Sequence, residues 1–171
     1  MEHMRDPESA DPRILVAGIG NRLRGDDGFG PRVIDLLASR RLPDSVEARD
    51  FGTAGLTIAT ELSDYDVAIF LDSAESEGEP GSLQRSRLEV EAGIDDSAEL
   101  ARLTLHEVGL EGLLKFSKSI GTLPEKVYLI GCKPKVLVPT LELSPEVEAA
   151  VEVAASMVMD TVGRLCSRKV E

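Results

Sequence analysis

Residues 14–30 read ILVAGIGNRLRGDDGFG, and this stretch decides the fold. It begins with a short apolar run over 14–19, of the kind that forms a buried strand, and a glycine-rich turn follows at once. Asp26 and Asp27 then stand between glycines, which allow the backbone to pass close to its neighbours. The pattern predicts a strand that ends abruptly, with two carboxylates over its C-terminal edge.

The turn has the wrong chemistry for a dinucleotide. Gly18 and Gly20 match the start of the G-x-G-x-x-G fingerprint, but position 23 is Leu23 rather than glycine. Asp26 and Asp27 would also repel a pyrophosphate at the start of the following helix. Two carboxylates suit a cation instead. A plainer interpretation stays open, in which either aspartate only caps that helix.

Length and composition narrow the function classes. A chain of 171 residues with no long apolar run predicts a single α/β domain over 13–171 and no insertion into a membrane. Residues 1–12 lack the apolar core of a signal peptide, and we expect a disordered leader there. The net charge of −12 argues against nucleic-acid binding. Two cysteines, Cys132 and Cys166, form no disulfide framework, which favours a reducing cytoplasm.

Apolar patterns that alternate between strand and helix periods predict a three-layer αβα sandwich. Its sheet is expected to be doubly wound and mostly parallel, with about five strands. The predicted strands are 14–19, 45–51, 67–71, 82–90 at a sheet edge, and 126–132. The predicted helices run from near Asp27 to about Arg40, from Thr53 to about Leu62, from Thr104 to about Lys118, and from Ser144 onward. Residues 91–102 are acidic and predict a mobile loop.

The predicted topology brings chemical groups to one crevice. In the common 2-1-3 strand order, ligands bind beyond the C-terminal ends of strands one and three. Asp27 follows strand one, Asp72 ends strand three, and His106 lies in a helix start that Thr104 and Glu107 would cap. Two carboxylates and an imidazole suit Ni²⁺, Zn²⁺ or Co²⁺ and leave positions open for water or substrate. Taken singly, Asp72 also fits a strand-end turn, and His106 an ordinary helix start.

The opening stretch closely resembles the first motif of the hydrogenase maturation endopeptidases, which trim the C-terminal tail of nickel-iron hydrogenase large subunits. Later blocks resemble the other motifs of this family and occur in the family order over about residues 13–163. These blocks are Asp50-Phe51-Gly52-Thr53-Ala54-Gly55, Ile69 to Ala74, Leu103 to Leu110, Leu129 to Pro134, and Leu143-Ser144-Pro145. The resemblance therefore covers most of the chain.

The resemblance implies an endopeptidase that removes the C-terminal extension of a large-subunit precursor after nickel insertion. Asp27, Asp72 and His106 would be both the catalytic and the metal-binding residues. Nickel would be supplied by the substrate, and the isolated protein would hold a divalent metal such as nickel or zinc only weakly. The partner would be the nickel-iron hydrogenase large-subunit precursor, and we expect a monomer.

Further positions are weaker candidates. Asp50, Thr53 and Asn21 could orient a ligand or contact the substrate, although an Asp-Phe-Gly turn explains Asp50 equally well. Ser73 is disfavoured as a nucleophile because Gly-x-Ser-x-Gly is absent. Cys132 is better explained as a small buried side chain. The alternative function is a non-catalytic, metal-sensing or chaperone-like protein that binds the hydrogenase precursor without cutting it.

Overall fold

The structure is a computed structural model that describes residues 11–53, 55–91 and 109–167. Its described strands form a single five-stranded sheet in the order β2-β1-β3-β5-β4. The strands are β1 (Ile14–Ile19), β2 (Val46–Gly52), β3 (Val67–Ser73), β4 (Leu83–Leu88) and β5 (Lys126–Cys132). All neighbouring pairs are parallel except β4 with β5, which is antiparallel. The predicted sheet is therefore confirmed, including the edge position of β4.

Helices cover the sheet. They are α1 (Phe29–Ala38), α2 (Gly55–Ala59), α3 (Leu110–Ser119) and α4 (Pro145–Ser167). Every residue of β1 and the first five of β3 are buried, as expected for central parallel strands.

Alternate side chains of β1 point into two separate cores. Ile14 and Val16 join a cluster with α1 and α4, whereas Leu15 and Ala17 join a cluster with α2 and α3. This alternation follows from the two-residue period of a strand. Helices therefore lie on both faces of the sheet, as the predicted sandwich requires.

The predicted helix from Thr53 to Leu62 is too long. Helix α2 ends at Ala59, and a separate 3₁₀ turn covers Leu62–Asp64. The hydroxyls of Thr60 and Ser63 each donate to a carbonyl three residues back, which fits a tighter turn than an α-helix.

The predicted helix from Thr104 to Lys118 is not continuous, because it is interrupted at Gly109. Helix α3 begins at Leu110, because Gly109 has extended backbone with ψ 178° and cannot continue a helix. Thr104, His106 and Glu107 lie outside the described residues, so the predicted cap stays a prediction. Most of the predicted leader and of the 91–102 loop also lie outside them, and the single-domain assignment likewise stays a prediction.

Two further expectations concern membranes and thiols. Within the described parts of the chain, no helix combines the length and apolarity needed to cross a bilayer. Cys132 is buried and Cys166 is partly exposed, and neither is in a disulfide. The prediction that Cys132 is a small buried side chain is thus confirmed.

Candidate active site

The site lies at the C-terminal edge of β1 and β3. Strand β1 stands between β2 and β3 in the sheet. The chain passes from β1 to β2 on one side and then adds β3 on the other side, so the strand order reverses at β1 and its C-terminal edge is the topological switch point. Gly18 pairs with Leu71, and Asp72 follows on β3. The turn after β1 carries Asp27. Topology therefore delivers both carboxylates to the same edge, as predicted.

Two glycines allow the turn to fold back over the strand ends. Gly20 has φ +131°, and a Cβ there would lie 1.9 Å from the carbonyl oxygen of Asp27. A Cβ on Gly30 would lie 2.2 Å from the carbonyl oxygen of Leu71. No larger residue fits at either place without moving the backbone. The glycine pattern of the opening stretch is thus what positions Asp27.

Asp27 is held by the turn that follows β1 and by the end of β3. Its Oδ2 accepts a hydrogen bond from the backbone N–H of Asn21 at 2.8 Å. Its Oδ1 accepts one from the hydroxyl of Ser73, the residue after Asp72, at 3.0 Å. The half-buried carboxylate is therefore oriented by two donors and keeps acceptor capacity on both oxygens.

Asp72 lies in a poorly solvated position. The alternation of β3 places it on the same face as Ala68 and Phe70, which is the side that α3 covers. Burial and, to a smaller extent, the nearby charge of Asp27 together raise the pKa of Asp72 to about 7, against the opposing effect of a hydrogen bond from the Ser73 backbone. Two neighbouring carboxylates in a partly buried position favour a cation or a shared proton.

Asp72 also borders a cavity. This cavity has a volume of about 590 Å³ and lies between α3 and the sheet. Its walls are mostly apolar and include Leu88, Val90, Leu110, Leu114 and Leu129. The first turn of α3 therefore approaches the same space as Asp72.

The third predicted ligand is not tested. His106 lies outside the described residues. Within residues 11–53, 55–91 and 109–167, no group of three His, Cys, Asp or Glu side chains could hold a metal ion. The structure thus brings together Asp27 and Asp72, and the three-ligand site stays a prediction.

The weaker candidates have distinct positions. Asn21 contacts Asp27 through its backbone, while its side-chain Oδ1 accepts the N–H of Leu23 at 2.9 Å. Asp50 accepts the N–H of Gly52 at 2.8 Å, which is the turn that its sequence context predicted. Thr53 is exposed in the turn before α2. Of Asn21, Asp50 and Thr53, only Asn21 directly touches one of the two central carboxylates.

Arg22 explains the remaining contacts of Asp50. Its Nη2 lies 2.9 Å from Asp50, and its guanidinium also pairs with Asp35 at 2.6 and 2.8 Å. The hydrogen bond to Asp35 raises the pKa of Arg22, and the pair with Asp50 adds to the rise, although partial burial opposes it. Asp50 therefore ties the turn after β1 to β2, and its contact with a ligand or with the substrate stays a prediction.

Asp26 is buried and structural. It is 0% exposed and accepts the backbone N–H groups of Lys135 and Val136 at 2.8 Å and of Ser144 at 2.7 Å. The Ser144 hydroxyl donates a fourth hydrogen bond at 2.9 Å. Burial alone would raise the pKa of Asp26, but these donors outweigh it and hold the pKa below its ordinary value. The capping interpretation is wrong for both aspartates, because α1 starts after Gly28 with no side-chain cap.

Comparison with known proteins identifies the family. The family model described as hydrogenase maturation protease matches residues 31–161, well over half of the chain. The chain belongs to this family. It is 34% identical over 149 residues to the hydrogenase 2 maturation protease of Escherichia coli, covering 86% of this chain and 88% of that relative. The match to the family begins after Asp27 and includes Asp72 and position 106.

Solved structures agree with this assignment. The crystal structure of a hydrogenase 2 maturation peptidase from a Thaumarchaeota archaeon is 62% identical, with a TM-score of 0.69, and the match covers 88% of this chain and 98% of that one. The hydrogenase maturating endopeptidase HybD of Escherichia coli is 33% identical, with a TM-score of 0.72 and coverage of 89% and 93%. The chain is a hydrogenase maturation endopeptidase, as its motifs predicted.

Sequence reasoning missed two contributors to the site of this endopeptidase. Ser73 was considered only as a nucleophile, whereas its hydroxyl orients Asp27. A hydroxyl residue directly after a strand-end aspartate was the signal available for it. Asp26 was considered only together with Asp27, as a second carboxylate for a cation or as a helix cap, and nothing near it in sequence indicates partners more than 100 positions away.

Proposed function

We propose that this hydrogenase maturation endopeptidase removes the C-terminal extension of a nickel-iron hydrogenase large-subunit precursor after nickel has been inserted. The observation that carries the proposal is the pairing of Asp27 with Asp72 at the switch point of the sheet. Burial and the charge of Asp27 disfavour ionised Asp72, so a cation at this edge would relieve both carboxylates. The nickel carried by the precursor has the charge that this pair requires.

The proposed ligand set is Asp27, Asp72 and His106. Leu110 lines the same cavity as Asp72, and His106 precedes it by four residues, which is a short reach along the chain. Carboxylates and imidazole are common ligands of Ni²⁺ and Zn²⁺. Three protein ligands without a thiolate make an open site, and we expect the isolated protein to hold such ions only weakly.

The chemistry is hydrolysis of one peptide bond. When the substrate's nickel is bound, it supplies polarisation of the scissile carbonyl or acidification of the attacking water. On the protein's side, Asn21 and Ser73 hold the Asp27 carboxylate in one orientation. Burial and the charge of Asp27 disfavour ionised Asp72 when no cation is present, so this carboxylate gains from binding the substrate's nickel. No other group at this edge is needed as a nucleophile.

The test uses purified endopeptidase and large-subunit precursor that either carries or lacks nickel. We expect mass spectrometry to show loss of the C-terminal extension only from the nickel-loaded precursor. His106→Ala should abolish the cleavage and leave the circular-dichroism spectrum unchanged. Equal cleavage of the nickel-free precursor would contradict a role for nickel. Tight binding of the precursor with no cleavage would instead favour the non-catalytic, chaperone-like alternative.

We also propose that the protein acts as a monomer in the cytoplasm. The two thiols at Cys132 and Cys166, which form no disulfide, support the cytoplasmic location. Analytical ultracentrifugation of the purified protein tests the monomer, and a dimer at micromolar concentration would contradict it.

A further inference from the structure

Four large apolar side chains are exposed beside the turn that follows β1. We name this group the rim patch. Its members and their exposed fractions are Leu23 at 64%, Leu137 at 38%, Val138 at 53% and Leu141 at 69%. Isolated exposed apolar residues need no explanation, whereas a cluster of them marks a candidate interaction surface.

Backbone hydrogen bonds join the two segments that form the rim patch. The N–H of Thr140 donates to the carbonyl of Leu23 at 3.1 Å, and the N–H of Gly25 donates to the carbonyl of Thr140 at 2.9 Å. One residue further, Asp26 donates to the carbonyl of Val136 at 2.8 Å. The segments therefore lie side by side, which places Leu23 next to 137–141.

The segment 137–141, which carries three of the four side chains of the rim patch, is held in place by hydrogen bonds on both sides of it. The buried Asp26 carboxylate accepts hydrogen bonds at both ends of this segment, from Lys135 and Val136 on one side and Ser144 on the other. A Cβ at Gly25 would lie 2.5 Å from the carbonyl oxygen of Val136, so the contact is close. A surface ordered in advance loses little conformational entropy when a partner binds.

The rim patch is continuous with the candidate active site. Asp26, which holds the patch, and Asp27, which belongs to the site, are consecutive residues of the 3₁₀ turn Gly25–Gly28. Asn21 also serves both, since its backbone N–H binds Asp27 and its side chain accepts the N–H of Leu23. The site and the patch therefore share one turn, within the reach of a single extended protein chain.

We infer that the rim patch docks an apolar segment of the hydrogenase large-subunit precursor and so holds the bond to be cut near Asp27 and Asp72. This inference rests on the proposed function. A second copy of the chain is a poorer occupant, because a stable interface buries roughly 20–30 residues on each side and the patch has four apolar side chains. A brief contact between enzyme and substrate needs much less area.

The experiment compares two variants in processing of the nickel-loaded precursor. The test variant is Leu23→Asp combined with Leu141→Asp, and the matched control is Val153→Asp on α4, where the side chain is 54% exposed and outside the patch. We expect the test variant to raise KM by about 10-fold or more, with kcat within about 2-fold of wild type, as for loss of a binding contact. The control should match wild type in both constants.

A direct measurement of precursor binding distinguishes a failure of this inference from a failure of the proposed function. If wild type leaves every precursor uncut, the proposed function fails, and precursor affinity measured by calorimetry still decides the inference. Equal affinity or equal KM of wild type and test variant would overturn the inference. It would also be overturned if wild type sedimented as a dimer that the test variant dissociates. Leu141→Ser provides a milder change if the double variant has a lowered melting temperature.

Discussion

Asp26 and Asp27 are neighbours in one 3₁₀ turn, yet they belong to two different regions of the molecule. Asp26 turns into the protein, is fully buried and accepts four hydrogen bonds from the segment that ends at Ser144. Asp27 turns toward the strand ends, is half-buried and accepts two. The difference shows that the supply of donors, rather than the residue type or its place in a motif, decides which carboxylate is structural and which is free to bind.

The two regions also have opposite electrostatics. Burial acts on Asp26 and on Asp72 in the same direction, toward a higher pKa. Around Asp26 the donors reverse that effect, whereas beside Asp72 the charge of Asp27 reinforces it. One carboxylate therefore stabilises the fold when it is ionised, and the other costs stability until a cation or a proton arrives.

The largest expected effect comes from a substitution of Asp27, the carboxylate at the candidate active site. Asp27→Asn keeps the shape of the side chain but removes its charge and one acceptor oxygen. We expect processing of nickel-loaded precursor to fall by about 10³-fold or more, as when a ligand or an essential acid–base group is lost. The melting temperature should stay close to that of wild type. Initial rates of tail removal measure the effect, and a loss below about 10-fold would contradict a central role for Asp27.

Asp26→Asn tests the other carboxylate, which stabilises the fold. The amide offers one acceptor atom to four donors and leaves buried N–H groups unpaired, so we expect the free energy of unfolding to fall by about 3 kcal/mol at neutral pH. The folded pKa of Asp26 lies below the unfolded value. Its contribution is therefore present above the unfolded pKa and lost as the pH falls through the folded pKa.

Urea denaturation of both proteins, at about pH 7 and below about pH 4, measures this difference. The difference in the free energy of unfolding between wild type and Asp26→Asn should be large at the higher pH and smaller at the lower pH. A variant as stable as wild type at neutral pH would show that the segment from Lys135 to Ser144 does not depend on this carboxylate.

Asp72→Asn should have the opposite effect on stability. The folded pKa of Asp72, about 7, lies above the unfolded value, so wild type loses stability as the pH rises from about 4 to 7. The variant does not titrate there. We expect it to be more stable than wild type by on the order of 2 kcal/mol at about pH 8, with no gain at about pH 4.

The measurement is thermal or urea unfolding in the presence of a chelator, since bound metal would offset the repulsion. Asp35→Asn is a matched control, because the pKa of Asp35 is lowered by its hydrogen bond to Arg22 and its removal should destabilise at neutral pH. A gain for Asp72→Asn that did not change with pH would point to packing rather than charge.

The comparison also shows what the sequence could predict. The apolar runs of β1 and β3 predicted central strands, and the switch-point rule placed Asp27 and Asp72 at one edge of the sheet. These inferences need only local patterns and a general rule of topology. The glycines at 20 and 30 were visible in the same way, although not the atoms that they approach.

What could not be predicted depends on contacts between distant parts of the chain. The donors to Asp26 come from positions 135, 136 and 144, and the guanidinium of Arg22 reaches Asp35 and Asp50 across the end of the sheet. No periodicity or spacing in one sequence encodes such pairs. The break in the predicted helix at Gly109 was missed for a more local reason. The backbone of Gly109 is extended, and α3 therefore begins at Leu110.

The smallest expected effects come from two serines that hold the two aspartates in parallel ways. Ser144 donates its hydroxyl to Asp26 at 2.9 Å, and Ser73 donates its hydroxyl to Asp27 at 3.0 Å. Ser144→Ala should lower the free energy of unfolding by about 1 kcal/mol, the usual value of such a hydrogen bond, and leave processing unchanged. Ser73→Ala should leave stability within about 0.5 kcal/mol and slow processing by about 2- to 5-fold.

These two serine variants are informative together because the chemical change is the same and only the aspartate that the serine contacts differs. Each variant is measured both by urea denaturation and by initial rates on nickel-loaded precursor, so that stability and activity are compared on one sample. If Ser73→Ala lost stability but not activity, orientation of Asp27 would not limit the reaction. If Ser144→Ala slowed processing at unchanged stability, the segment that Asp26 holds would act in catalysis, and the division between a structural and a reactive carboxylate would fail.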